Sequence, residues 1–262
     1  MRSNQIKKAA ELLSEAWLKP GKVETFPSEF RAKTRDQAYA IQDAMADMIG
    51  FPVVGWKLGA TSPAMRLKAG HDGPIIGRIF DNVMFTSPVQ LPIARFPHAR
   101  VECEFAFRLL DSLPARSNTY TAKELSPLVT LHLAIEIIGN RYPLLPDFYK
   151  TSTIDEIADN GTGIGFVFGN EIPDWKDLDL INLFIDCCVD DHPSAQNFLG
   201  ADRANPIDSL VQALDILCYR GISVSAGQYI STGAATDPQP IKAGSKVRAK
   251  FGSLGDISID FH

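Results

Sequence analysis

The residues in this sequence best suited to chemistry are Glu102 and Glu104, in the stretch Val101-Glu102-Cys103-Glu104-Phe105-Ala106-Phe107. The stretch reads as a strand, and period-two alternation sends Val101, Cys103, Phe105 and Phe107 to one face and both glutamates to the other. Two carboxylates one pleat repeat apart repel each other, which raises one pKa unless a cation sits between them. A bound divalent metal is one resolution; the ordinary one is a half-buried strand with its acidic face in water. Two further charges bear on the choice. Lys57 lies in Val53-Val54-Gly55-Trp56-Lys57-Leu58-Gly59, which reads as a buried strand. There a lysine either snorkels to a strand edge or, desolvated near other charges, becomes a tuned acid or base. Glu136 interrupts the apolar run 131–138, where a charge needs a partner, and Arg141 is the nearest cation in sequence.

The other metal-ligating residue types narrow the chemistry. None of the four cysteines (Cys103, Cys187, Cys188, Cys218) forms a CxxC pair, and the five histidines form no HxH or HExxH pattern. Oxygen ligands would therefore dominate any metal site, which favours Mg2+ or Mn2+ over zinc. Apolar surroundings suggest reduced core thiols. A net charge of −5 over 262 residues leaves no basic footprint for nucleic acid. No apolar run is long enough to span a bilayer, and the first residues enter an amphipathic pattern without a signal-peptide core, so the cytoplasm is expected. The hydrophobic content of 45% and charged content of 22% are those of a soluble globular chain.

The elements that must position these groups follow from periodicity and caps. Helices are expected over 4–18, stopped by Pro20-Gly21, and from a capping box at Thr34 to Gly50. Ser62-Pro63 starts a short helix that ends at Gly70, and turns at Gly73-Pro74 and Gly77 precede Arg78-Ile79-Phe80-Asp81. Further capping boxes are read at Thr121 and at Thr153-Ile154-Asp155-Glu156, the second leading into Ala158-Asp159-Asn160-Gly161-Thr162-Gly163. Those glycines suit a turn that approaches a ligand closely, but they form no nucleotide-binding pattern. Strands are expected at 164–168, 180–189, 228–232, 246–251 and 256–261, with the best helix at 205–220. Without regular βα alternation, the chain reads as α+β: a helical N-terminal segment over 1–52 packed on a β-rich core over 53–262, with strands curling around a site.

Five motifs then occur in order: residues 54–62, Arg100 to Phe107, Ala134-Ile135-Glu136-Ile137-Ile138, Ala158-Asp159-Asn160, and Ser231-Thr232-Gly233-Ala234. With Tyr39-Ala40-Ile41-Gln42 and the glycine-rich tail 243–255, they resemble the 2-keto-4-pentenoate hydratase / 4-oxalocrotonate decarboxylase branch of the fumarylacetoacetate hydrolase superfamily. The likeness covers roughly residues 35–262 by motif spacing.

The resemblance implies a fumarylacetoacetate hydrolase-like mixed β-sheet roll that binds Mg2+ or Mn2+ through Glu102, Glu104 and Glu136. The metal would act as a Lewis acid on the 2-keto group of a small acid from aromatic meta-cleavage catabolism. It further implies that Lys57 carries proton traffic or fixes the substrate carboxylate. Asp81 and Thr162 join it as catalytic candidates, and Asp159, Asn160, Thr232 and Gly233 are candidates for substrate contact. A homo-oligomer, and association with a related hydratase or decarboxylase, are implied as well.

The activity expected is that of a hydratase, with a decarboxylase or a non-catalytic partner subunit as the other readings. Hydratases of this group carry Gln-Pro-Asp-Phe-Gly where this chain has Gly73-Pro74-Ile75-Ile76-Gly77, and Ile75 cannot transfer a proton. Decarboxylases of the branch carry Pro-Ile-Tyr-Gly, which is closer. The third ligand of the hydrolase branch, an aspartate in Asn-Asp-Val-Ser-Ala-Arg-Asp, has no counterpart here, which disfavours carbon–carbon hydrolysis.

Overall fold

The computed structural model describes residues 1–143 and 151–262. Helices α1 (Ser3–Leu18) and α2 (Arg35–Ile49) come first. They are followed by β1 (Val53–Gly59), α3 (Pro63–Ala69), β2 (Ile75–Phe80), β3 (Met84–Thr86), β4 (Val89–Leu91) and the long β5 (Arg100–Leu109). Next are α4 (Ala122–Leu125), β6 (Val129–Ile138), α5 (Thr153–Ala158), β7 (Gly163–Ile172), β8 (Ile185–Val189), α6 (Pro206–Tyr219), β9 (Tyr229–Ser231), β10 (Gln239–Pro240), β11 (Lys246–Phe251) and β12 (Asp256–Phe261). The class is α+β, as the element pattern predicts.

Two mixed sheets hold the strands. The larger runs β2-β1-β9-β5-β6-β7-β3, with β10 also paired to β5, and the smaller runs β4-β12-β11-β8. On β5 the apolar face packs toward the smaller sheet, with the rings of Phe105 and Phe251 5.8 Å apart edge to face. Contrary to the solvated reading, the opposite face is also buried: Glu102 is 9% exposed and Glu104 1%. The N-terminal helices close one end. Trp17 of α1 meets Phe80 of β2 at 5.5 Å. The Gln42 side chain of α2 donates to the carbonyls of Ile76 and Ile157, tying β2 and α5 together.

Caps explain most helix limits. Thr34 accepts from the Gln37 N–H, Ser62 from Met65 and Asn205 from Ile207, each satisfying an end-of-helix donor. At α5 the cap is Ser152, one residue earlier than the sequence pattern indicates, and it accepts from the Asp155 N–H. Residues 180–184 are not strand. The buried guanidinium of Arg203 takes the carbonyls of Leu180 and Leu183 at 2.9 and 2.7 Å, diverting them from any ladder.

Gly77 is not in a turn but inside β2, opposite Lys57 of β1. A Cβ there would overlap the carbonyl oxygen of Asn160 and stand 3.2 Å from Lys57 Cγ. Gly77→Ala is therefore expected to destabilise the fold by about 1–3 kcal/mol. That is a fall in Tm of roughly 2–12 °C by thermal unfolding, and an unchanged Tm would contradict the close approach.

Candidate active site

Strand register alone gathers the charged residues. Lys57 on β1 lies opposite Ser231 on β9, and Ser231 lies opposite Ala106 on β5. Two and four residues back along β5, on the same face, are Glu104 and Glu102; Glu102 lies opposite Glu136 on β6. Facing residues on neighbouring strands share a side of the sheet. Five residues from four strands thus form one polar row, and Ile79, Ala106, Ala134, Phe166 and Phe168 make an apolar cluster beside it.

Within that row, Glu102, Glu104 and Glu136 each place a carboxylate oxygen within 4.8 Å of the others. Glu136 pairs not with Arg141 but with Lys57, whose Nζ is 3.2 Å from Glu136 Oε1, both side chains almost wholly buried. That contact is an ion pair without hydrogen-bond alignment: both Glu136 oxygens and Glu104 Oε1 are buried without a hydrogen-bond partner. The other Glu104 oxygen is held by the Ser231 hydroxyl and by the Gly233 N–H at 3.1 Å. Orphaned buried carboxylate oxygens are costly unless a cation takes them. Three carboxylates and one ammonium leave two negative charges, which a divalent cation balances. The donor set is all hard oxygen and fits Mg2+ or Mn2+.

Without such a cation the electrostatics are those of a repelling cluster. Burial, and then Glu136, push the Glu102 carboxyl up to about 8 against the pull of Lys57. Burial and Glu102 push Glu104 up to about 7. Glu136 is also driven up, by burial first, although Lys57 opposes it. Burial disfavours the Lys57 ammonium, but the three carboxylates together outweigh burial and hold it above the ordinary lysine value. Lys57 is thus the positive partner of the carboxylate row.

Lys57 is anchored from the loop that follows α5. Asn160, Gly161 and Thr162 all have φ between 54° and 65°, in the left-handed region that L-residues seldom occupy in succession. A side chain on Gly161 would crowd Lys57 Cδ, yet the Gly161 carbonyl accepts from Lys57 Nζ at 2.8 Å. Two clamps hold the strained backbone. The buried Asp159 carboxylate accepts from both the backbone N–H and the guanidinium of Arg141. The Asn160 amide bridges the N–H and carbonyl of Arg78 on β2 at 2.7 and 2.9 Å.

Among the residues singled out from sequence, Lys57, Glu102, Glu104, Glu136 and Thr162 therefore come together. Gly233 and Ser231 support Glu104, while the Thr232 hydroxyl is taken by the Phe105 carbonyl. Asp159 and Asn160 spend their polar groups on the scaffold instead of facing a ligand. Asp81 is not brought to the site: β2 begins at Ile75 beside Gly59 and ends at Phe80 beside Val53, leaving Asp81 exposed past the far end.

A cleft of about 90 Å³ opens onto the row, lined by Lys57, Glu102, Thr162, Met65, Ile138 and Pro238 among others. Two of its walls were not singled out in the sequence: His71, from the loop after α3, and Glu156 of α5. Their side chains pair at 3.3 Å.

No protein-family model matches the chain. Individual proteins do. A 4-oxalocrotonate decarboxylase from Pseudomonas sp. is 31% identical over 207 residues, 78% of this chain and 77% of that protein. A 2-keto-4-pentenoate hydratase from Burkholderia vietnamiensis is 29% identical over 227 residues, covering 86% and 85%. Among solved structures, 4-oxalocrotonate decarboxylase from Pseudomonas putida G7, complexed with magnesium and adipate, superposes with a TM-score of 0.87 at 22% identity, over 100% of this chain and 99% of that one. A protein assigned to the fumarylacetoacetate hydrolase family, from Yersinia pestis CO92, gives 0.54 at 13% identity, over 81% and 95%. The fold is thus fumarylacetoacetate hydrolase-like, as the motifs imply.

Proposed function

The chain belongs to the 2-keto-4-pentenoate hydratase / 4-oxalocrotonate decarboxylase family, and from that premise we propose that it is a divalent-metal-dependent lyase of 2-keto or 2-hydroxydienoic acids formed in aromatic meta-cleavage catabolism. The observation that carries this reading is the buried Glu102/Glu104/Glu136 cluster, with its orphaned oxygens, beside Lys57 at the floor of a cleft. When bound, Mg2+ or Mn2+ supplies Lewis-acid polarisation of the 2-keto group.

The chain's own residues do the rest. Glu102, Glu104 and Glu136 hold the cation. The Lys57 ammonium, fixed by Glu136 and the Gly161 carbonyl, attracts and orients the substrate carboxylate. Thr162 lines the cleft. Burial of the row excludes bulk water and so strengthens each of these interactions.

Hydration is the leading reaction, in which a 2-hydroxypenta-2,4-dienoate is converted to a 4-hydroxy-2-keto acid. Ile75 favours decarboxylation as the second reading. It stands at the start of β2 beside Gly161, 2% exposed, where a hydrocarbon side chain transfers no proton. Incubating the protein and Mg2+ with 2-hydroxypenta-2,4-dienoate and with 4-oxalocrotonate, while following ultraviolet loss of the dienol and release of CO2, separates the two. No turnover of either substrate would overturn both and leave the role of a non-catalytic partner subunit.

The same reading includes a homo-oligomer in the cytoplasm, able to associate with a related hydratase or decarboxylase. Four free cysteines suit a reducing compartment. Among the described residues no helix is long and apolar enough to cross a membrane.

A further inference from the structure

Any interconversion of enol and 2-keto acid moves a proton on or off carbon, and Lys57 is already engaged by Glu136 and by the Gly161 carbonyl. The opposite wall of the cleft carries two titratable groups outside the carboxylate cluster. Glu156 projects from α5 with 17% of its side chain exposed, and His71 projects from the loop after α3 with 8% exposed. Both are held. Glu156 Oε1 accepts from the Thr151 hydroxyl at 2.7 Å. Glu156 Oε2 faces His71 Nε2 at 3.3 Å, and His71 Nδ1 is 3.0 Å from the Thr153 hydroxyl. The shared space is about 90 Å³, on the order of three waters in volume. A five-carbon keto acid in this space is bounded by Lys57 and Glu102 as well as by Glu156 and His71, all of which line it.

From this geometry we propose that Glu156 is a catalytic acid–base residue of the cleft, held by Thr151 and positioned by His71, which exchanges the proton on the carbon next to the substrate's keto group. The proposal rests on the reading that the cleft takes a 2-keto acid. In the direction of enolisation the C3–H bond breaks and the proton passes to Glu156 Oε2. The C–H electron pair becomes the C2–C3 double bond, and the carbonyl π pair moves onto the keto oxygen. Ketonisation returns the same proton.

The surroundings suit the task. Burial pushes the Glu156 carboxyl up to about 7, with Asp159 and Asp155 adding to the rise and Thr151 and Lys57 opposing it. Burial, then Lys57 and Arg35, hold the His71 imidazole below its ordinary value against Asp72. His71 is therefore neutral near pH 7 and acts as a hydrogen-bonding support. From β5, Glu102 also senses the Glu156 charge. A group that titrates near the working pH is an efficient proton carrier in both directions.

The test uses the full chain with Mg2+ and 2-oxopentanoate in D2O, following loss of the C3 proton signal by NMR. The wild-type protein is expected to catalyse exchange above the protein-free rate. Glu156→Gln is expected to lower the exchange rate by about 100-fold or more, with the Mg2+-induced rise in Tm unchanged. Glu156→Asp is expected to recover part of the rate. His71→Gln is expected to fall by about tenfold and to displace the limb of the pH–rate profile near neutrality. Wild-type exchange in Glu156→Gln would overturn the assignment while leaving the keto-acid reading intact. Loss of the Mg2+-induced Tm rise in that variant would also overturn it, because Glu156 would then act through the metal site. Absence of exchange and of turnover in the wild type would overturn the keto-acid reading and the assignment together.

Discussion

Glu104→Gln is expected to lower Mg2+-dependent kcat/KM by about 10³-fold or more while the fold persists. The magnitude follows from losing a Lewis acid that contributes several kcal/mol to charge stabilisation, each 1.36 kcal/mol being a factor of ten. Glu104 is the central member of the cluster: one oxygen is fixed by Ser231 and the Gly233 N–H, and the other is buried without a partner. An amide of the same shape keeps the packing but brings a donor either toward Ser231 and Gly233 or toward the cation, and neither arrangement suits a ligand. The substitution also removes one of three mutually repelling carboxylates. The metal-free variant is therefore expected to unfold at a higher temperature than the metal-free wild type near pH 8. Measuring kcat/KM across a Mg2+ titration, with thermal unfolding of both proteins, checks both halves. Unchanged activity would refute the metal assignment.

Period-two alternation was enough to put Glu102 and Glu104 on one face, and a lone charge in an apolar run was enough to mark Glu136. What alternation cannot supply is strand order. The partner of Glu136 is Lys57, nearly eighty residues away, because β9 inserts between β1 and β5. Arg141, close in sequence, is turned to Asp159 instead. Asp81 enters as a candidate through the resemblance alone, beside a Gly77 read as a turn. Once Gly77 is inside β2, the site lies at the start of that strand and Asp81 lies past its end.

Glu156 was concealed by a plausible local pattern. With Thr153 as cap, Glu156 would be the reciprocal member of a capping box; with Ser152 as cap it falls one position further on and enters the cleft. His71 follows a glycine cap in a loop, with no periodicity to place it. The two sheets were half visible. Strands β11 and β12 match their expected limits residue for residue, because each alternates cleanly after a glycine turn. Residues 180–184 were misread because nothing local reveals that Arg203 takes their carbonyls.

Removal of the metal is expected to make stability depend on pH in a direction opposite to the usual behaviour of paired carboxylates. Glu102, Glu104 and Glu136 all titrate in the folded chain above the ordinary value of 4.5, the first at about 8 and the second at about 7. Between those limits the folded chain holds protons that the unfolded chain has released. The cluster's contribution is therefore fully present below pH 4.5 and is lost as pH rises through 7 to 8. Lys57, held above the ordinary lysine value by the same carboxylates, is one ammonium against three of them.

A bound divalent cation reverses the sign, because it requires the deprotonated ligands and displaces those protons. In chelator-treated protein, Tm is expected to fall as the buffer is taken from about pH 6 to about pH 8.5. Adding Mg2+ at roughly a hundred times its dissociation constant contributes about 2.7 kcal/mol. That raises Tm by roughly 5–10 °C at the alkaline end and by less at about pH 6. Differential scanning calorimetry with and without Mg2+ at the two pH values decides the matter. A metal-free protein that is more stable at the alkaline value, or a Mg2+ effect independent of pH, would mean that the three glutamates do not share a buried cation site.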